Sequence, residues 1–299
     1  MNASSASSVS SASSTAASGW VNHDVDLRRG AMILWSAVGG VLGAVVGLVL
    51  ASVVGLVVGA LVFGAGGALL AVSLVGRFVD SALASATVGI DACELDADRA
   101  PRLFNLLQGL CATAGVSAPR VSVTNDSSIN ALVAADPAGE SRAEVVVTQG
   151  FVDALGRIEM EGAVAVCLAR LRSGLAEAQT LAAALAATEP WFIPGPMRRR
   201  VIEASLSGQA IFDADVKGVA ITRYPPGLAA AFQRMIDTST RVSGAVSHGN
   251  FLWLADPAGE SPNDAGGTRS SSRVESSDDR STDEDRPPLA ERLALLREV

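Results

Sequence analysis

The sequence predicts an α+β fold, mainly helical with a small sheet, preceded by a transmembrane helical hairpin. Three observations carry that expectation. Ala31 to Gly76 contains no charged, amide, histidine or proline side chain. Downstream, long runs at helical spacing alternate with a few short runs rich in β-branched residues. Finally, a formal charge of -8 coexists with a mean hydropathy of +0.34, so acidic and apolar character must reside in different parts of the chain.

The 299 residues suffice for one sizeable core plus tails and a membrane segment. Residues 1–29 form a tail, and 1–19 are almost entirely Ser, Ala, Thr and Val with no basic residue ahead of them. That composition predicts disorder and not a cleavable signal peptide. A helix rises about 1.5 Å per residue and a hydrocarbon core is about 30 Å thick, so 31–76 is roughly twice the length of one span. Two helices are expected, with the turn near Ser52 to Gly59. Gly39, Gly43 and Gly47 recur every four residues, and Gly55 and Gly59 repeat the spacing. Such stripes let helix backbones approach in lipid, either inside the hairpin or against another copy or a partner. Arg28 and Arg29 precede the first span and Arg77 follows the second, which by the positive-inside rule places both ends, and the domain at 77–299, in the cytoplasm.

Pro101 to Val116 reads as an amphipathic helix, with Leu103, Phe104, Leu106, Leu107, Leu110 and Cys111 on its apolar face. Strands are expected around Val121 and Val123, at Ile129 to Ala134 and at Glu144 to Thr148. A short helix follows at Phe151 to Leu155 and a long one at about Glu159 to Leu175. Leu181 to Ala187 is apolar but too short to cross a bilayer. Trp191 and Phe192 followed by Arg198, Arg199 and Arg200 have the composition of a membrane-interface segment, or equally of a domain loop with a solvated basic patch. The string Ala-Asp-Pro-Ala-Gly-Glu-Ser occurs at 135–141 and again at 255–261 with unrelated flanks, which reads as one turn chemistry used twice. An acidic, Ser-rich insertion at about 256–286 is expected to be disordered, and 287–299 returns to helical spacing through Leu289, Leu293 and Leu296.

Composition also excludes functions. An acidic chain is a poor nucleic-acid binder. Cys93, Cys111 and Cys167 are unpaired in number and widely spaced, which argues against a disulfide framework and a thiolate metal site. The arginine-dominated cations, with Lys217 the single lysine, point to a bacterial, GC-rich genome.

The stretch Glu161-Gly162-Ala163-Val164-Ala165-Val166-Cys167-Leu168-Ala169-Arg170 is the chemically informative one. Together with Pro101 to Leu107, Ala118-Pro119-Arg120-Val121, Ile129-Asn130-Ala131, Val145 to Gly150, Ala214-Asp215, Thr222 to Leu228 and Pro287 to Leu293, in that order and separation, it resembles the HtpX-type membrane-bound zinc metallopeptidase family. The resemblance covers about 77–299 and implies a zincin-like peptidase domain behind a membrane hairpin. In that class two histidines one helical turn apart hold zinc, and a glutamate beside the first activates the metal-bound water. Carried over, the first histidine falls on Val166, the glutamate on Cys167, the second histidine on Arg170 and the third ligand on Ile211. Asp215 keeps the identity of a residue that supports the site without binding metal.

These replacements lead to the expectation of a catalytically inactive, membrane-anchored peptidase homologue without cofactor, acting as a binding, scaffolding or regulatory subunit for a membrane protein or protease complex. Its location would be the bacterial inner membrane. Val145, Val146, Val147 and Thr148 are the expected peptide-accepting strand edge or its neighbour. The alternatives are an active endopeptidase using Cys167 or an unrecognised metal site, and a purely structural subunit. With only His23 and His248 in the chain, no two-histidine metal face is available. Asp213 and Asp215, two apart on a helix, read as solvated or capping acids.

Overall fold

The computed structural model describes residues 23–49, 53–87, 90–138, 142–205, 207–245, 247–259 and 286–298. Two antiparallel helices lead, α1 (His23–Val49) and α2 (Val53–Thr87). The connection therefore lies at 50–52, outside the described residues, and not as far along as Gly59. Gly55 and Gly59 both belong to α2. Glycine allows the close approach: a Cβ on Gly43 would lie 2.8 Å from Ala60 Cα, and one on Gly59 would lie 2.6 Å from the Gly43 carbonyl oxygen. Gly39 faces the backbone of Phe63 in the same way. Gly47 and Gly55 lie in α1 and α2, but their packing falls outside the described side chains.

The hairpin's outer faces expose Met32, Ile33, Leu34, Val38, Val41, Leu42, Val45 and Val46 on α1, and Leu61, Val62, Phe63, Leu69, Leu70 and Val72 on α2. Both helices are long and apolar enough to cross a bilayer, over Arg28–Val46 and Gly59–Ala84. Apolar surface of that extent has no aqueous solution. Because α2 has 35 residues, about 52 Å at 1.5 Å per residue, it outruns the bilayer and continues to Thr87, well past the expected end at Gly76.

The remaining elements are β1 (Ala92–Glu94), α3 (Pro101–Ala114), β2 (Arg120–Thr124), β3 (Ala131–Ala135), β4 (Ala143–Thr148), α4 (Gln149–Ala154), α5 (Arg157–Arg172), α6 (Leu175–Thr188), α7 (Gly195–Ser205), α8 (Gly208–Thr222), α9 (Pro225–Thr238), a 3-10 turn at Ser247–Leu252, and α10 (Leu289–Leu296). The sheet order is β1-β2-β4-β3. β2 and β4 are parallel, and the two outer pairings are antiparallel.

Local chemistry explains the boundaries. Pro101 starts α3, and Gly115 at φ 66 ends it. Thr148 closes β4 and caps α4, its hydroxyl accepting from Phe151 N at 3.2 Å. The long helix expected to reach Leu175 instead stops at Arg172, because Gly174 takes φ 74 and redirects the chain into α6. Leu181 to Ala187 thus belongs to a core helix, in keeping with its being too short to span.

The repeated heptad builds the same turn twice. Asp136 Oδ1 accepts from Ala138 N, and Asp256 Oδ1 accepts from Ala258 N, both at 2.9 Å. Most of the acidic insertion, and residues 1–22, lie outside the described residues, but its two ends at Asp256–Gly259 and Arg286 are structured.

One core joins α3, β2, β3, β4, α5, α9 and α10. A second joins the hairpin to the domain, with Ala31 of α1 and Val75, Phe78, Val79 and Ala82 of α2 packed on Leu181, Ala184, Leu185, Ile193 and Val201. The candidate site is the middle of α5, which is apolar on all sides because every side is covered.

Candidate functional site

Gly162, Val166 and Arg170 recur every four residues and so form one stripe along α5. Each meets a different element. A Cβ on Gly162 would lie 2.6 Å from Leu228 N, so glycine is what lets α9 pack at this level. One turn on, Val166 lies against the backbone of Gly218 in α8, where a Cβ would come within 2.7 Å of the valine Cγ2. Another turn on, Arg170 is fully buried and donates through Nη1 to the carbonyls of Leu252 and Trp253, at 3.2 and 3.1 Å. Its Nε and Nη2 are buried without a hydrogen-bond partner.

Ile211, Asp215 and Gly218 share one face of α8 at helical spacing, and all three are buried. Asp215 is not a solvated acid, which corrects the sequence expectation. It forms a two-pronged ion pair with Arg292 of α10, at 2.6 and 2.7 Å. Arg292 also donates to the Leu254 carbonyl at 2.6 Å and stacks over Phe232, 4.5 Å from the ring centroid. Asp213 is separate and partly exposed, accepting from Gln209.

Arg286, just ahead of α10, donates to Asn250 O at 2.7 Å and Trp253 O at 2.6 Å. Carbonyls 252, 253 and 254 are thus all held by buried guanidinium groups. The same segment runs along the outer side of β3: Leu132 bridges to Trp253, and Leu254 N donates to Ala131 O at 2.6 Å. Asn130 locks its end, with Oδ1 accepting from Ala255 N and Nδ2 donating to Ala255 O. β3 is therefore an edge already occupied by the chain itself.

Val145, Val146, Val147 and Thr148 lie on β4, which is paired on both sides and buried, so they are not an accepting edge but the neighbour of the edge strand β3. Among the expected interface residues, Trp191 is 76% exposed, Phe192 is half-buried, and Arg199 and Arg200 are exposed. Arg198 is half-buried and pairs with Glu189 at 3.4 Å.

The electrostatics at α5 suit neither metal nor thiolate chemistry. Burial pushes the Cys167 thiol up to about 11, and the opposing pull of Arg170 and Arg292 does not offset it. A thiol of that kind is not ionised near neutral pH. Burial, then Arg292 and Arg286, lower Arg170 to about 9, which leaves it a cation at neutral pH. Zinc requires nitrogen, sulfur or oxygen lone pairs in a tetrahedral set. Val166 and Ile211 have none, Cys167 is a buried thiol, and Arg170 brings positive charge, so these residues do not fit the ion. Among the described residues no group of three or more His, Cys, Asp and Glu side chains converges.

Comparison with known proteins places this helix in context. The chain is 28% identical over 200 residues to a protein named Protease HtpX homolog from Levilactobacillus brevis, covering 54% of this chain and 66% of that one. A protein of the same name from Dictyoglomus thermophilum is 27% identical over 188 residues, 52% of this chain and 61% of the relative. Another, from Streptococcus equi subsp. equi, is 24% identical over 229 residues, 64% of this chain and 75% of the relative. These similarities support membership of the HtpX-type family. It spans less than two thirds of the length of the first two relatives. No family model matches, and no solved structure matches. Within the HtpX-type resemblance, Gly162, Ile129-Asn130-Ala131, Ala214-Asp215 and the terminal block through Leu289, Arg292 and Leu293 have structural roles around α5. The role of Arg292 was not read from sequence. Its signal was its place inside that terminal block, between Leu289 and Leu293.

Proposed function

We propose that this chain is a membrane-anchored, non-catalytic member of the HtpX-type family that acts as a binding or regulatory subunit for another membrane protein or a protease complex. The observation that carries the reading is Arg170: where the resemblance expects a zinc-binding histidine, a buried guanidinium is tied to the Leu252 and Trp253 carbonyls. Loss of the other two ligands at Val166 and Ile211, and of the general base at Cys167, supports the same conclusion. Arg28, Arg29 and Arg77 support an inner-membrane hairpin with the domain on the cytoplasmic side. Contact with a partner would use surfaces outside the cleft, since β3 is covered by residues 253–255.

That covering also favours a second reading, a purely structural subunit of a membrane assembly. The two differ in whether association changes a partner's activity.

Elemental mass spectrometry of the purified detergent-solubilised protein tests the proposal. A Val166→His, Cys167→Glu, Arg170→His, Ile211→Glu variant serves as the scaffold control. The native protein is expected to hold no stoichiometric zinc. Near-stoichiometric zinc, with cleavage of a membrane substrate abolished by a chelator, would overturn the proposal in favour of an active HtpX-type endopeptidase.

A further inference from the structure

We propose that the segment from Pro190 to Arg200, with the adjoining ends of the hairpin, forms a binding site for anionic phospholipid headgroups at the bilayer boundary. The proposal does not depend on the loss of catalysis, because it concerns a surface remote from α5.

The level of the boundary follows from what covers each helix. On α2 the large exposed apolar side chains end at Val72, and from Val75 onward Phe78, Val79 and Ala82 are covered by the domain. On α1 they begin at Met32, directly after the buried Ala31. The 191–193 segment hangs at this level. Trp35 Nε1 donates to the Phe192 carbonyl at 2.7 Å, and the Trp35 and Trp191 rings meet edge-on at 5.4 Å. Phe192 in turn meets Phe78 at 6.3 Å. A large ring left 76% exposed beside a membrane helix is out of place in bulk water. It suits the headgroup zone, where an amphipathic indole has an apolar and a wet side.

Cations lie on the helix ends that adjoin this segment. Gly30 of α1 touches the Met197 side chain, which brings α7 against the start of α1. Arg29, Arg77, Arg199 and Arg200 are all exposed at this rim. The carboxylates nearest along these helices, Asp26, Asp80 and Glu203, each lie three residues, about one turn, from Arg29, Arg77 and Arg200, on the side away from the lipid-facing residues. Glu189 is already engaged by Arg198. Arg199 and Arg200, exposed at this level, select negative lipid over zwitterionic lipid.

The test uses the full chain. Native mass spectrometry from detergent micelles doped with equal phosphatidylglycerol and phosphatidylcholine should find phosphatidylglycerol retained preferentially. An Arg199→Gln, Arg200→Gln variant should lose that preference by about thirtyfold, as expected from roughly 1 kcal/mol per arginine near an anionic surface. Both side chains are exposed, so an unchanged melting temperature confirms that the variant is folded. A spin label at Trp191→Cys, in a Cys93→Ser background in phosphatidylglycerol nanodiscs, should report headgroup depth. Equal retention of the two lipids by the native chain, or a water-level depth at position 191, would overturn the proposal.

Discussion

Buried charge at single residues has opposite consequences in two places. Glu177, in the first turn of α6, has a buried Oε2 without a hydrogen-bond partner, and burial raises its pKa to about 7. The folded pKa lies above the ordinary 4.5, so the stability linked to this proton is complete below pH 4.5 and is lost as pH rises to about 7. Glu177→Gln should therefore stabilise the protein at pH 8, by at most about 3 kcal/mol, and have little effect at pH 4.5. Melting temperatures across that range check the sign, and a larger gain at low pH would contradict it. Arg170 and Arg292 are a second contrast. Removing Arg292 with Met leaves Asp215 buried and uncompensated, at a cost of about 3–5 kcal/mol. Replacing Arg170 with Met removes two buried orphan donors and a desolvated charge along with two hydrogen bonds, so its net effect should be within about 1–2 kcal/mol of zero. Denaturant unfolding of the two variants should rank them clearly. Asp215 was legible in the sequence as a retained residue, but its partner was not, because an ion pair spanning 77 residues leaves no local pattern.

At the scale of elements, the hairpin shows how spacing becomes geometry. Gly43 and Gly40 are three apart on α1, yet a Cβ on Gly43 would strike Gly59 and Ala60, while one on Gly40 would meet nothing. Gly43→Leu should lower the melting temperature in detergent by several degrees, with a loss of about 2 kcal/mol or more from overpacking. Gly40→Ala should change little, and equal effects would mean that the helices do not pack through this face. The stripe was legible from sequence, because a four-residue repeat of glycine has a single geometric meaning on a helix. The end of α2 was not: hydropathy stops at Gly76, whereas tertiary cover from Leu181 and Leu185 extends the helix to Thr87. Likewise β4 and β3 were placed within a residue or two from their β-branched runs. Which of them is the edge depends on the pairing of β4 with β2, and the cover on that edge comes from residues 253–255, far away in sequence. The end of α5 was placed three residues late, at Leu175, because the apolar pattern continues across the turn that Gly174 makes at φ 74.

For the whole molecule, the proposal turns on the side of the membrane on which the domain stands, and the chain carries its own probe. Of its three cysteines, Cys93 on the short edge strand β1 is exposed, while Cys111 and Cys167 are buried. Burial also raises both buried thiols, Cys111 by desolvation and Cys167 to about 11, which suppresses their reactive thiolate further. A membrane-impermeant maleimide should therefore add once per folded chain, at Cys93, and two further additions should require denaturation. The proposal puts both hairpin ends on the cytoplasmic side, on the ground that Arg28 and Arg29 precede the lipid-facing part of α1 and Arg77 lies at the matching level of α2, the pattern of the positive-inside rule. Inverted inner-membrane vesicles should accordingly label at once, and right-side-out vesicles only after permeabilisation. The reverse pattern would place the domain outside the cytoplasm and remove the basis for a cytoplasmic partner. Three additions without denaturant would instead show that the core around α5 opens, and with it the cleft that residues 253–255 cover.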